Sequence, residues 1–104
     1  MNTEKYHGRA HQMRDTHAWV EKQLMALGYN TEGLLILNTK KSNHDVMLDG
    51  RRLFVYDYSR GVIKINDDLR YNRLTGFLES RKDRFRLIVE PAEVIELALK
   101  IAQK

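Results

Sequence analysis

The stretch from Asp45 to Ile65, DVMLDGRRLFVYDYSRGVIKI, carries the strongest fold signal in the chain. Asp49-Gly50 separates two apolar runs, and a two-residue turn between strands needs positive φ at both positions, which Asp-Gly tolerates. Ser59-Arg60-Gly61 is a second short turn, and the apolar run from Val62 follows it. The stretch therefore predicts an antiparallel meander with short, basic turns.

A helix is predicted before the meander. Its apolar positions recur at alternating spacings of four and three residues, which is one face of a helix; they are Tyr6, Ala10, Met13, His17, Val20, Leu24 and Leu27. Gly28 follows them, as a helix-ending glycine does. Because Gly8 weakens the first turn, we expect a frayed tail over residues 1–8 and a helix start near Arg9. Leu34 to Leu37 predicts the first strand.

A second helix is predicted from Asn66. Asn66-Asp67-Asp68 resembles a helix start with acid in the first turn. Helical spacing then continues along the chain through Tyr71, Leu74, Phe77, Leu78 and Arg81. Gly76 would cost this helix about 1 kcal/mol relative to alanine.

The end of the chain predicts a strand and a last helix. Phe85, Leu87 and Val89 alternate with other residues as strand residues do. Pro91 suits a first helical turn, and the helix continues from Ala92 to about Ala102. We therefore expect one α+β domain over residues 1–104, in the order α-β-β-β-β-α-β-α.

Composition limits the class of protein. The chain has 104 residues and no cysteine, which excludes disulfides, thiolate metal sites and cysteine catalysis. No segment approaches the roughly 20 apolar residues of a membrane span, and the first residues do not form a secretory signal. We expect a cytoplasmic protein that does not act at a membrane.

The positive charge is concentrated in residues 51–86. This segment has ten basic and five acidic residues, a net charge of +5, whereas residues 1–50 have six of each. Arginine suits phosphate because its planar fork donates two parallel hydrogen bonds. The segment indicates nucleic-acid binding, with duplex DNA as the favoured ligand, and the phosphate contacts are expected from Arg51, Arg52, Arg60, Arg70, Arg73, Arg81 and Lys82.

The placement of these residues follows from the predicted elements. Arg51, Arg52 and Arg60 are expected at hairpin tips, and Arg70 and Arg73 as neighbours on the predicted helix. The alternative is a solvated surface, because acidic residues interleave with the basic ones; they are Asp67, Asp68, Glu79 and Asp83.

No catalytic motif is present. The central strands offer Asp45, Asp49 and Asp57 but no Glu-x-Lys of a metal-dependent nuclease, and no phosphate-binding glycine-rich loop, nucleophile elbow or dinucleotide fingerprint occurs. We therefore expect a protein without catalysis and without a cofactor. A small nuclease or toxin is the least favoured of the functional interpretations.

Histidines and aromatic residues are assigned structural roles. His7, His11 and Asp15 have the spacing to share one helical face, but a solvated face is favoured over a metal site. His17 lies on the apolar stripe, where a buried core histidine is expected. The alternating aromatic residues of the longest strand, Phe54, Tyr56 and Tyr58, are expected to pack on the helices and not on nucleic-acid bases.

A protein-interaction module is the alternative function. A phage or mobile-element accessory protein, or an inhibitor of a host protein, would use the first helix with Trp19 and Met25, because tryptophan is enriched in binding hot spots. The two terminal helices also have broad apolar faces. These faces predict a homodimer held by helix–helix contact.

The chain resembles the double-wing fold of the MmcQ/YjbR family and of the C-terminal domain of phage middle-promoter activators. The resemblance covers roughly residues 13–104. It is carried by the element order, by Gly-Arg-Arg-Leu-Phe-Val-Tyr at 50–56 and Arg-Gly-Val-Ile-Lys-Ile-Asn at 60–66, and by the final helix opening on Pro91-Ala92-Glu93. It implies contact with a nucleic-acid duplex through the sheet and its wings.

Overall fold

A computed structural model describes the backbone of residues 3–103 and the side chains of residues 10–103. The described part of the chain has seven strands, preceded by one helix and followed by another. The elements in chain order are α1 (Thr3–Ala26), β1 (Leu34–Lys40), β2 (Asn43–Leu48), β3 (Arg51–Asp57), β4 (Val62–Lys64), β5 (Leu69–Asn72), β6 (Phe77–Ser80), β7 (Phe85–Ile88) and α2 (Pro91–Ala102). The strands lie in sequence order in one sheet, each antiparallel to the next. The α+β class is confirmed, and the sheet has more strands than predicted.

Several predicted elements are found where the sequence places them. Asp49 and Gly50 have φ of 52° and 83° and form the turn between β2 and β3. α2 begins at Pro91, as its pattern predicts. The tail predicted over residues 1–8 begins in residues 1–2, which lie outside the described part of the chain, and the α1 backbone is helical from Thr3.

The helix predicted from Asn66 is wrong, because this segment forms β5 and β6. The Asn66 side-chain oxygen accepts the backbone N–H groups of Asp68 at 2.8 Å and Leu69 at 2.7 Å, which closes a turn instead of capping a helix. Asn72 accepts the N–H of Leu74 at 2.8 Å in the same way. Gly76, with φ of 80°, completes the turn between the two strands.

Both helices pack on one face of the sheet. A row of directly paired residues crosses β3 to β6 on that face, and all of its members are buried; they are Tyr56, Ile63, Tyr71 and Leu78. Val20 and Leu24 of α1 join the same core. The predicted packing of the β3 aromatic residues against the helices is therefore found at Phe54 and Tyr56.

The apolar surface of α2 is used within the chain. Its buried residues are Val94, Ile95, Ala98 and Leu99, and α2 packs against α1 and β3. The apolar surface of α2 is thus largely used within the fold, and the predicted helix–helix homodimer stays a prediction. Neither helix, within the described residues, is both long and apolar enough to cross a bilayer.

The core histidine is His44 of β2, whereas His17 is only half-buried. The Thr16 hydroxyl of α1 lies 2.8 Å from His44 Nδ1. Nε2 of His44 is buried and has no hydrogen-bond partner among the described residues. Burial lowers the pKa of His44 below its ordinary value, because the charged ring is disfavoured away from water.

Replacing Gly76 by alanine tests the β5–β6 hairpin. In a helix, Gly76→Ala would stabilise the protein by about 1 kcal/mol. At φ of 80° we expect it to destabilise by about 1–2 kcal/mol, because a left-handed backbone is strained for alanine. The free energy of unfolding in urea gives the sign. Gly28→Ala, at φ of 86° after α1, is the matched control and should lose a similar amount. A gain in stability for Gly76→Ala would contradict the hairpin.

Protonation of His44 should oppose folding. The folded-state pKa lies below 6.5, so the unfolded chain binds more protons as the pH falls through about 6.5. The free energy of unfolding should then decrease between about pH 7 and pH 5, by at most about 1.4 kcal/mol per pH unit. Urea denaturation across this range should show that His44→Gln loses the decrease, whereas His11→Gln, at an exposed position, retains it. A decrease that persists in His44→Gln would assign it to other groups.

Candidate nucleic-acid interface

The sheet face opposite the helices, here called the open face, carries most of the charged strand residues. Side chains alternate along each strand, so the residues next to the buried row must point to this face. The register pairs them directly across β2 to β7 in the order Asp45, Val55, Lys64, Arg70, Glu79 and Arg86. Within residues 3–103, no helix packs on the open face.

Two cations are neighbours on this face without an acidic residue between them. Lys64 of β4 lies directly opposite Arg70 of β5, and like charges in that position repel each other. Glu79 is opposite Arg70 on the other side, but its carboxylate pairs with Arg86 Nε at 2.8 Å. Arg70 Nε is buried and has no hydrogen-bond partner among the described residues. The fold thus presents an unneutralised cationic pair at the centre of the sheet.

Three adjoining depressions connect these cations, with volumes of about 280, 230 and 410 Å³. Lys64 lines the first and second, and Arg70 lines the second and third. The basic residues that line them, here called the cationic track, are Lys40, Lys41, Arg52, Arg60, Lys64, Arg70 and Arg86. Three acidic residues line the same depressions, namely Asp57, Asp67 and Glu79. Seven cations against three acids leave four positive charges.

The first depression, here called the turn pocket, lies between the β1–β2 and β3–β4 turns. Its lining residues are Lys40, Lys41, Ser42, Asn43, Asp57, Ser59, Arg60 and Lys64. The two turns are at the same end of the sheet because alternate turns of a meander share an end. The backbone N–H of Tyr58 donates to the Ser42 carbonyl at 2.9 Å and ties the two turns together.

Asp57 lines the turn pocket and connects its two turns through hydrogen bonds. Only 7% of its surface is exposed, and its Oδ1 accepts hydrogen bonds from the hydroxyls of Ser59 at 2.8 Å and Ser42 at 3.4 Å. Burial alone would raise the pKa of Asp57, but the Ser59 hydroxyl, the N–H and charge of Arg60, and the Ser42 hydroxyl together lower it. The carboxylate is therefore ionised and holds both turns in place.

The structure separates the predicted phosphate-binding residues into three groups. Arg52, Arg60 and Arg70 belong to the cationic track. Arg81 and Lys82 lie in the β6–β7 turn, and Arg51, next to Arg52 in β3, pairs with Leu48 and faces the helix side. Arg73 forms the third group.

Arg73 lies on the helix side, so the prediction that Arg70 and Arg73 are neighbours on a helix is wrong. Arg73 follows β5, places its guanidinium 4.3 Å from the centre of the Trp19 ring, and donates to the Tyr56 hydroxyl at 3.2 Å. A separate cleft of about 590 Å³ opens beside it. In that cleft the Tyr58 hydroxyl donates to Asp15 at 2.6 Å, which raises the pKa of Tyr58.

The predicted partner-binding residues have different environments. Trp19 is half-buried, stacks on Tyr56 at 5.9 Å between ring centres, and is covered by Arg73. Met25 is 63% exposed. The structure therefore leaves Met25 available for contact and places Trp19 within the packing between α1 and the sheet.

The histidine face of α1 is described only in part. His11 Nε2 lies 3.4 Å from an Asp15 carboxylate oxygen, whereas the His7 side chain lies outside the described residues. Among the side chains of residues 10–103, no group of three potential ligands is placed to hold a metal ion.

Four residues of the track are not predicted as site residues from the sequence, namely Lys40, Lys41, Lys64 and Arg86. The signals that would find them are topological. Turns separated by two strands share an end of a meander, which brings Lys41 next to Arg60. Alternation in the run from Val62 places Lys64 on the face opposite Ile63.

Comparison of the chain with protein-family models, curated proteins and solved structures finds no match.

Removing one member of the central cationic pair should not weaken the fold. We expect Lys64→Gln to leave the free energy of unfolding unchanged or to raise it by up to about 1 kcal/mol, because it relieves the repulsion with Arg70. Urea denaturation at low salt measures the change, and added salt should shrink it by screening the repulsion. A loss of more than about 1 kcal/mol would mean that Lys64 stabilises the fold through a favourable contact.

Proposed function

We propose that this protein binds nucleic acid through the cationic track on the open face of its sheet, without catalysis. The observation that carries the proposal is the continuity of the track. Its three depressions share Lys64 and Arg70, and its lining residues leave four positive charges on a face that no described helix covers. A chain of phosphates presents the complementary pattern, because its negative charges recur at regular spacing.

The central pair supports a polyanionic ligand over a single small anion. Lys64 and Arg70 repel each other when the protein is free, and a phosphate placed between them would replace repulsion with two attractive contacts. Seven strands at about 4.8 Å each make the sheet roughly 29 Å wide between its outer edges. A surface of that width spans several successive phosphates.

The chemistry of the track favours binding with little dependence on base sequence. Its functional groups are ammonium and guanidinium ions, which contact phosphates and position a nucleic acid without reading its bases. The aromatic ring of Phe77 lies on this face, but the Arg86 guanidinium covers it at 5.0 Å from the ring centre. Phe77 is therefore not free to stack on a base.

The class of nucleic acid and the biological role form part of the proposal. The double-wing resemblance implies a duplex lying on the sheet, and we propose duplex DNA as the preferred ligand. A cytoplasmic accessory protein of transcription, encoded by a phage or mobile element, would need such sequence-tolerant contacts.

The dependence of affinity on salt tests the proposal. With four or five phosphates neutralised, log K for a duplex should fall against log[salt] with a slope of about −4. Replacing Lys64 and Arg70 together by glutamine should weaken binding to every sequence and make the slope shallower by about 2. Fluorescence anisotropy with duplex DNA, single-stranded DNA and RNA measures both quantities.

A control variant removes the same charge from the other side of the molecule. Arg14→Gln with Lys22→Gln changes two exposed cations of α1, which packs on the opposite face. This variant should retain the slope of the original protein within about 0.5, far less than the change of about 2 expected for the track variant. Equal losses in the two variants would point to net charge alone, and a lack of binding to all three ligands at low salt would refute the proposal.

A protein partner is the second candidate, and one observation favours it. Three large apolar side chains are exposed on the open face near its two edges, with exposed fractions of 54% for Leu35, 41% for Leu37 and 75% for Ile88. Exposed apolar side chains that flank charged ones are typical of protein-binding surfaces. This candidate predicts binding that is insensitive to removal of Lys64 and Arg70.

A further inference from the structure

The turn pocket differs from the rest of the cationic track in charge and in shape. Four cations line it against one carboxylate, which leaves three positive charges around a volume of about 280 Å³. The middle depression has three cations against one carboxylate. Two turns tied by a backbone hydrogen bond form the walls of the turn pocket. It is therefore a local concentration of positive charge at one end of the track.

The buried carboxylate of the pocket is already engaged by its neighbours. Asp57 accepts the Ser59 hydroxyl at 2.8 Å, and its other oxygen lies 3.7 Å from Arg60 Nε. Ser42 completes the network, because its single hydroxyl proton is shared between Ser59 Oγ at 3.1 Å and Asp57 Oδ1 at 3.4 Å. The carboxylate thus fixes the shape of the pocket, and Lys40, Lys41 and Lys64 have no ion-pair partner among the described residues.

A phosphate monoester matches this charge better than a phosphate within a nucleic-acid chain does. A monoester has a charge of about −1.5 to −2 at pH 7 and three terminal acceptor oxygens, whereas a phosphate that links two nucleotides has one negative charge. The volume is about nine times the roughly 30 Å³ that a water molecule occupies in the liquid, so a phosphate group fits inside. The donors available to it are three ammonium groups and a guanidinium.

We propose that the turn pocket binds the terminal phosphate of a nucleic-acid strand whose following phosphates lie along the cationic track. The inference rests on the proposed function and adds a preferred ligand, a phosphorylated strand end. Lys64 joins the two parts because it lines both the turn pocket and the middle of the track. Bound in this way, a strand would have a fixed direction across the sheet.

The experiment compares three double-stranded DNA oligonucleotides of one sequence, with a 5′-phosphate, a 3′-phosphate or hydroxyl groups at the strand ends. Fluorescence anisotropy at about 0.1 M salt keeps contacts within roughly 10 Å effective. We expect one of the two phosphorylated forms to bind at least about tenfold more tightly than the hydroxyl form, as one additional charge-assisted contact allows. The form that binds more tightly identifies which end the pocket holds.

Two variants separate the pocket from the track. Lys40→Gln with Lys41→Gln, which removes two cations that line only the turn pocket, should abolish the preference for the phosphorylated end and should weaken binding of the hydroxyl form no more than the loss of two other track cations does. Arg52→Gln with Arg70→Gln, which removes two track cations outside the turn pocket, should weaken binding of all three oligonucleotides and retain the preference. Because Lys40 and Lys41 are exposed and form no ion pair among the described residues, their loss should leave the fold intact, which circular dichroism melting checks.

A change of pH provides a readout that a structural role of the pocket would not move. The second pKa of a phosphate monoester is about 6, so the preference should shrink at about pH 5. The pocket lining has no histidine, the side chain that ordinarily titrates in this range. His44, next to Asn43, is buried on the helix side of the sheet.

Each remaining outcome decides one of the two proposals. Equal binding of the three oligonucleotides would overturn the terminal-phosphate inference and leave the track in place. If only the phosphorylated oligonucleotides bind, and replacing Arg70 does not weaken their binding, the pocket proposal is supported and the track proposal is overturned. If none of the three binds, both proposals fail.

Discussion

The register of β3 against β2 and β4 determines what each face of the sheet carries. Because side chains alternate along a strand, a slip of one residue would bring Lys64 into the core and expose Ile63. Burying a lysine without a partner is far more costly than exposing an apolar side chain. The Asp49-Gly50 turn, whose residues both have positive φ, pairs Leu48 with Arg51 at the end of the hairpin. A bulge between Met47 and Val46 then shifts the pairing by one residue and places Val46 opposite Phe54. The turn and the bulge together therefore produce the register that buries the core residues.

The one-sided placement of the helices follows from this register and leaves the other face for charge. α1 and α2 pack against each other and against the row that contains Tyr56 and Ile63, so their apolar surfaces are used on that face. No described helix covers the open face, so solvent can reach the ammonium and guanidinium groups there. Asp57 is the exception because it is buried at the edge of this face, and it is stable there only with the hydroxyl and guanidinium partners that surround it.

Much of the fold is predictable because strong local signals agree with long-range packing. The β2–β3 hairpin and α2 follow from the Asp49-Gly50 turn, from alternation and from Pro91. The segment from Asn66 is mispredicted for a physical reason. An asparagine side chain that accepts backbone N–H groups is shared by helix starts and by turns, and Asn66 uses it in a turn. The spacing of Tyr71, Leu74 and Phe77 also resembles a helical face, although only Tyr71 is buried.

The candidate site is harder to predict, because its residues are assembled by topology and not by their closeness in sequence. The concentration of arginine in residues 51–86 does identify Arg52, Arg60 and Arg70. The concentration of arginine cannot distinguish these three residues from Arg51 or Arg73, which point to the helix side. It also cannot show that Lys40 and Lys41, at the β1–β2 turn, belong to the same surface. That separation requires the number of strands, and the mistaken helix removes two strands from the sheet. An error in one local element therefore propagates into the grouping of the whole surface.

Screening by solvent and salt explains how the fold tolerates the cations of the open face, and counterion release explains why such a surface suits a polyanion. At physiological salt, charges on a solvated face are screened over about 8 Å, so the repulsion between Lys64 and Arg70 costs the fold little. A phosphate chain releases counterions when it binds, and this release favours association. A surface that contributes little to folding can therefore contribute much to binding. In this sheet the face packed against the helices stabilises the fold, and the open face is the one for which we propose binding.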